Sequence, residues 1–201
     1  PNSSGINFTA LNASTLGSGT VPTARLGTGS ASSSVFLAGD STWIAAGGGD
    51  NTPYFAASIG TSYTTTHEVY HKMEYDTEIY DSDSAYDTTL FRFTVPAGEG
   101  GYYQFGYSNR CASGYPGTMG VYQTEIYKNG SSMDLGGGGE QGGFYWNAYS
   151  AQRSIMATST FIVSLAAADY IELFGWQGSL DSGNETVIGE WSYFWGMKLL
   201  T

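Results

Sequence analysis

The sharpest chemical spacing in the chain is His67-Glu68-Val69-Tyr70-His71. Two histidines four apart, with a glutamate after the first, match the H-E-x-x-H pattern of zinc hydrolases. That chemistry needs a helix, where side chains four apart lie about 6 Å from one another and can share a metal. Thr64, Thr65, Thr66, Val69, Tyr70 and Tyr75 instead favour strand. On a strand the two rings would stand about 13 Å apart, too far to ligate one zinc ion. No third histidine exists to complete a ligand set. The expectation is two histidines on one face of a strand, with neither zinc nor catalysis.

The other constellations are weaker. Asp76, Glu78, Asp81, Asp83 and Asp87 crowd one region. Asp81-x-Asp83 could offer oxygens to calcium, but no Gly-containing twelve-residue EF-hand loop surrounds them. A solvated acidic loop is expected. Gly136 to Gly139 lacks the Lys-Ser/Thr of a phosphate loop, and Glu140 would repel phosphate. With both histidines in one stretch, no Ser-His-Asp arrangement can be placed. Carboxylate pairs are numerous, and nothing marks one of them as a glycosidase pair. Cys111 is the only cysteine, so no intrachain disulfide can form, and it reads as a small inert residue. Neither a metal nor a cofactor is expected.

Aromatic residues remain. Tyr115 sits among Gly and Pro, and Tyr145, Trp146, Asn147 and Tyr149 follow the Gly-rich stretch from Gly136 to Gly143. Rings bordered by Gly, Asn and Ser on loops suit contact with sugars or proteins. Tyr115, Tyr145, Trp146, Asn147 and Tyr149 are therefore the candidate receptor contacts. Burial against the fold is an equal reading for Trp146, and packing is the expectation for Trp176 and Trp195.

The elements that must position these residues read as short strands. Expected strands are 54–58, 63–72, 74–80, 89–96, 101–108, 120–128, 152–157, 159–166, 170–177 and 193–200. Phe91, Phe93 and Val95 alternate with polar residues before Pro96, and Tyr103, Phe105 and Tyr107 alternate after a Gly-rich turn. Period-two spacing on both sides of a turn predicts a half-buried β-hairpin. Asn129-Gly130 suits a type I′ turn. No useful helical period appears, so the chain from residue 51 predicts a two-sheet all-β sandwich. The last strand is apolar on both faces, and its second face asks for a partner.

Residues 1–50 differ from the remainder. All aromatics except Phe8, Phe36 and Trp43 lie beyond residue 50. Ile6, Leu11, Leu16, Val21 and Leu26 recur every five residues in a background of Gly, Ser, Thr and Ala. That period fits neither a helix nor a continuous strand. Such a row cannot be buried by one chain alone, whereas copies around one axis could bury it. The expected organisation is a slender, β-rich or extended trimeric stalk over 1–50 and a head over 51–201. A disordered linker is the alternative for 1–50. Candidate trimer contacts are Leu11, Leu16, Val21 and Leu26 in the stalk, with Trp195, Met197 and Leu199 in the last strand.

The net charge of −11 argues against nucleic acid as a partner and against docking on anionic lipid. No apolar run is long enough to span a bilayer, so membrane insertion is not expected. No basic segment followed by an apolar one opens the chain, so no signal peptide is expected.

Two resemblances carry the functional expectation. The series Tyr75, Asp81, Tyr86, Phe93 and Gly101-x-Tyr103-x-Phe105-x-Tyr107 resembles the signature of the globular head of complement subcomponent one-q. Tyr75 stands where Phe is usual, and the Phe93–Gly101 gap is longer by two residues. Lys128-Asn129-Gly130, Phe161-x-Val163-x-Leu165, Asp169-Tyr170-Ile171-x-Leu173 and Phe194-x-Gly196-x-x-Leu199 continue the likeness, with Ala168 in place of a Gly. It implies a jelly-roll head like those of complement one-q and tumour necrosis factor, associating in threes. Calcium binding in that family involves a segment that here reads Tyr145-Trp146-Asn147-Ala148-Tyr149, without an acid. Residues 11–27 and Phe36-Leu37-Ala38-Gly39-Asp40-Ser41-Thr42-Trp43 resemble a repeat of bacteriophage tail-fibre proteins. Together they imply a homotrimeric phage fibre on the virion, acting outside the cell. Its head would bind a bacterial surface glycan or outer-surface protein, and its N-terminal region other virion proteins. The alternative is a purely structural head fibre or capsid decoration protein.

Overall fold

A computed structural model describes residues 23, 26–45, 51–113, 119–133, 146–152 and 154–199. The chain divides into two compact units, Pro1–Gly48 and Gly49–Thr201. In the first, β1 (Val35–Leu37) and β2 (Trp43–Ala45) form an antiparallel hairpin, pairing Phe36 with Ile44. Asp40 shapes its turn by accepting hydrogen bonds from Thr42 N at 3.0 Å and Thr42 Oγ1 at 2.6 Å. Leu26, Phe36, Leu37 and Ile44 are exposed. Leu11, Leu16 and Val21 lie outside the described residues.

The described residues of the second unit form strands and turns, with one 3-10 turn at Gly189–Trp191. The strands are β3 (Tyr54–Ser58), β4 (Tyr63–Thr65), β5 (His71–Lys72), β6 (Thr77–Asp81), β7 (Tyr86–Asp87), β8 (Arg92–Thr94) and β9 (Gly101–Ala112). There follow β10 (Met119–Lys128), β11 (Ser131–Ser132), β12 (Trp146–Gln152), β13 (Ser154–Leu165), β14 (Tyr170–Ser179), β15 (Glu185–Val187) and β16 (Tyr193–Lys198). One sheet, called here the β9 sheet, runs β6-β3-β16-β9-β13. Along Cys111 and Ala112 β15 takes the place of β16 and carries β4 on its far side. The β10 sheet centres on β10 and β14. Its flanks are β11 and β12 beside β10, and β5, β8 and β7 beyond β14.

Alternation explains which residues face inward. Tyr103, Phe105 and Tyr107 of β9, Phe194 of β16 and Phe55 and Ala57 of β3 are buried. They meet Tyr122 and Ile126 of β10, Ile171 and Leu173 of β14, and Phe93 of β8. Phe55 stacks on Tyr86 at 4.9 Å and on Phe93 at 5.0 Å, and Phe105 on Phe161 at 5.3 Å. Burying one such ring contributes about 1.5–3 kcal/mol. Gly196 is required by this packing, since a Cβ there would lie 2.4 Å from Phe105 Cδ1. A buried polar chain crosses this core: Tyr75 Oη donates to Asn109 Oδ1 at 2.6 Å, and Asn109 Nδ2 to Thr124 Oγ1 at 3.0 Å.

The expected two-sheet sandwich is present, and the expected hairpin over 91–107 is not. β8 pairs with β7 and β14, whereas β9 pairs with β13, β15 and β16. The turn after Pro96 therefore carries the chain from one sheet to the other. Phe93 faces Phe105 across the core, with ring centroids 5.5 Å apart at 67°. Apolar alternation is the same whether two strands neighbour or oppose each other, so periodicity alone could not separate the two arrangements. The strand expected over 63–72 is likewise divided. β4 belongs to the β9 sheet, β5 to the β10 sheet, and a turn at residues 66–70 crosses between them. The expected break between 157 and 159 is absent, because β13 pairs without interruption along all of β9. The type I′ turn at Asn129-Gly130 is as expected, with φ of 53° and 77°.

Candidate functional site

The crossing turn disposes of the H-E-x-x-H geometry in an unexpected way. His67 and His71 stand on neither a helix nor one strand face. Instead, His71 Nε2 accepts the Thr66 N–H at 2.8 Å, and His67 Nδ1 accepts the Ser179 N–H at 3.2 Å. Glu68, between them, takes a left-handed φ of 54° and donates its N–H to the Gln177 carbonyl at 2.9 Å. The two imidazoles thus brace the turn at separate points. Among the described residues no three His, Cys, Asp or Glu side chains gather as a metal site. Asp81 is spent on the loop itself, accepting from Tyr86 N at 2.7 Å and Asp83 N at 3.2 Å. Cys111 is fully buried, and burial pushes its thiol up to about 12.

The candidate receptor residues fall differently from the sequence reading. Tyr115 and Tyr145 lie outside the described residues. Trp146, Asn147 and Tyr149 are on β12, not on a loop, and Trp146 pairs with Tyr122 and Asn147 with Val121 of β10. A preceding run of glycines led the reading toward a loop, but pairing with β10 extends the sheet to Trp146.

Two outer sheet faces hold the remaining chemistry. On the β9 sheet, Trp195 of β16 lies opposite Gly106 and Ala56. A Cβ on Gly106 would come within 2.4 Å of the indole, so this glycine is what lets the ring lie flat over β9. Trp195 stands between two depressions. The larger, about 480 Å³, is lined by Asn51, Tyr54, Tyr80 and Met197 among others. The smaller, about 360 Å³, is lined by Thr158, Thr160 and Tyr193 among others. Tyr102 and Ile162 on this face are 53 % and 58 % exposed, and Tyr54, Tyr80, Met156 and Tyr193 are exposed as well. Of the expected trimer contacts, Trp195 and Met197 are half-buried on this sheet. Leu199 is half-buried just past β16, and Leu26 is exposed in the first unit.

The outer face of the β10 sheet has another character, one that the sequence reading did not single out. Tyr70, delivered by the crossing turn, donates its hydroxyl to Glu125 Oε1 at 2.5 Å and accepts from Gln123 Nε2. Its ring centroid is 6.5 Å from that of Trp176. Tyr127 and Phe174 approach to 4.2 Å. Burial and the neighbouring Glu125 carboxylate push the Tyr127 phenol up. Lys72 pairs with Glu172. Arg92 lays its guanidinium over the Tyr170 ring, 4.3 Å from the centroid. The signal available in the sequence was the alternation Gln123, Glu125, Tyr127 and Glu172, Phe174, Trp176, which puts rings and polar groups on one side of two paired strands.

Comparisons place the fold. The globular domain of zebrafish complement 1qA protein matches with a TM-score of 0.50 and 9 % identity, over 74 % of this chain and 98 % of that one. Murine APRIL matches with a TM-score of 0.51 and 7 % identity, over 73 % of this chain and 98 % of that one. No protein-family model and no curated protein sequence matches the chain. The second unit therefore has the jelly-roll fold shared by complement one-q heads and tumour-necrosis-factor-like domains, as the motif series implied. The likeness of residues 11–43 to tail-fibre repeats has no counterpart in these comparisons.

Proposed function

We propose that this chain is a non-catalytic binding protein. It forms a homotrimer through the outer face of the β9 sheet and presents its head to a bacterial surface receptor as part of a bacteriophage fibre. The observation that carries the reading is that face. Tyr54, Tyr80, Tyr102, Met156, Ile162 and Tyr193 are exposed together around Trp195. Contiguous apolar surface of this kind is a mark of an interaction surface. The complement one-q resemblance implies that the copies associate in threes, and closed symmetry gives each face a partner. The tail-fibre resemblance of residues 11–43 supplies the virion setting and assigns the N-terminal region to contacts with other virion proteins.

The test has two parts. Light scattering on the purified chain should give three times the 21.4 kDa chain mass. A monomer at micromolar concentration would remove the assembly. Purified trimer should then block adsorption of the particle it comes from to its host cells, as three linked weak sites exceed one by avidity. A trimer located on the particle by immunogold that neither binds cells nor competes would be a structural fibre or capsid decoration instead.

A further inference from the structure

The described cations of this acidic chain are almost all committed. Lys72 pairs with Glu172, Lys128 with Asp169 and Lys198 with Glu99. Arg110 donates to Ser154 Oγ. Arg92 is different. Among the described residues no carboxylate lies within ion-pairing distance of it, and its buried Nε has no acceptor. The acids around it are occupied. Asp87, its ladder partner, accepts from the amides of Thr89 and Leu90, both at 2.8 Å. Glu172 is held by Lys72, and Glu125 by Tyr70. The guanidinium carbon nevertheless lies over the Tyr170 ring, 4.3 Å from its centroid. Nε is buried beyond a ligand's reach, but the terminal nitrogens form no ion pair with the described residues, and a planar guanidinium fork matches a planar carboxylate through two parallel hydrogen bonds.

We infer that Arg92, stacked on Tyr170, is the anchor of a binding site for a carboxylate-bearing saccharide on the outer face of the β10 sheet. The carboxylate takes the two terminal nitrogens of the Arg92 guanidinium. The sugar rings extend over the aromatic groups of the same face, with Tyr127 and Phe174 nearest along the strands and Trp176 and Tyr70 beyond. The chain's net charge of −11 does not forbid an acidic ligand, since charges beyond about 8 Å are screened at physiological salt. The inference rests on the receptor-binding reading for its biological setting and names the chemistry of the receptor. It places recognition on a sheet face rather than on the loops that the sequence suggested.

The probe is tri-galacturonic acid, with its methyl ester as the uncharged counterpart, titrated into the full chain by calorimetry. A parallel arm measures labelled chain on a panel of bacterial cells, with the acid as competitor. Saturable binding of the acid is expected, at least tenfold tighter than of the ester. Arg92→Gln should weaken it at least tenfold, with unchanged thermal unfolding. Arg110→Gln makes the same charge change elsewhere and should leave binding intact. Should Arg92→Gln fail to fold, Tyr170→Leu, which removes the stacking platform, is read in its place. Equal losses in the Arg92 and Arg110 variants would reduce the effect to general charge and overturn the site. Cell binding that neither Arg92→Gln nor the acid diminishes overturns the site while the receptor-binding reading stands. Binding of the acid through Arg92 without any cell binding keeps the site and overturns that reading. Binding of neither overturns both.

Discussion

Ala168 holds a left-handed φ of 70° in the turn between β13 and β14, where its N–H donates to the Val95 carbonyl at 2.9 Å. A Cβ in that conformation costs about 1–2 kcal/mol, and glycine avoids it at a smaller entropic cost. Ala168→Gly should therefore raise stability by about 0.5–1 kcal/mol in chemical unfolding. The next residue sets an acid limit. Hydrogen bonds from Lys128, Asn129 and the Ala166 N–H hold the Asp169 carboxyl down to about 2. An unfolded aspartate titrates near ~3.9. Since the folded value is the lower one, the stabilisation is complete above ~3.9 and is lost as pH falls through about 2. Asp169→Asn should lower stability at pH 5 and flatten its decline between pH 4 and 2, measured by urea unfolding across that range. An unchanged slope would mean that these bonds add no net stability.

Among the strands, β16 does two jobs at once, burying Phe194 against the core and laying Trp195 outward over Gly106. Gly106→Val should push the indole off β9 and join the two depressions beside it. Association is then expected to weaken at least tenfold in sedimentation, with the far-ultraviolet circular dichroism of the sheets retained. A strand with clean apolar alternation, such as 101–108 with Tyr103, Phe105 and Tyr107 buried, was legible in the sequence, because one buried face is enough to write a period of two. What period two cannot write is which strand lies alongside. Phe93 and Phe105 show the same inward rhythm whether neighbours or opposites, and only the pairing partners of β8 and β9 decide. Of the strands that went unread, β1, β2, β7, β11 and β15 are two or three residues long, too short to show any period, while β12 was hidden by the run of glycines before it. Propensity puts His67 and His71 on one strand, and the crossing of the chain between sheets overrides it.

For the whole molecule, the jelly roll was legible because its spaced aromatics are its core, and spacing survives where identity does not. The recognition surface was far less so. Arg92 and Tyr170 are adjacent only through the β8–β14 ladder, a contact between residues far apart in the chain that no local motif encodes. If three copies close over the β9 sheets, unfolding and dissociation are one process. The midpoint of thermal unfolding should then rise with protein concentration over a hundredfold dilution series, whereas a monomer would show no such trend. The place of β3 has a further consequence for how the head comes into being. The first strand of this unit is zipped on one edge by β16, the last, with Phe55 opposite Gly196 and Ala57 opposite Phe194. During synthesis the strand that leaves the ribosome earliest must wait, unpaired on that edge, for the one that leaves latest. Closing so long a loop is slow, and the waiting edge is open to wrong partners. The head is thus completed only after translation of its final strand, in one late event that shuts the sandwich.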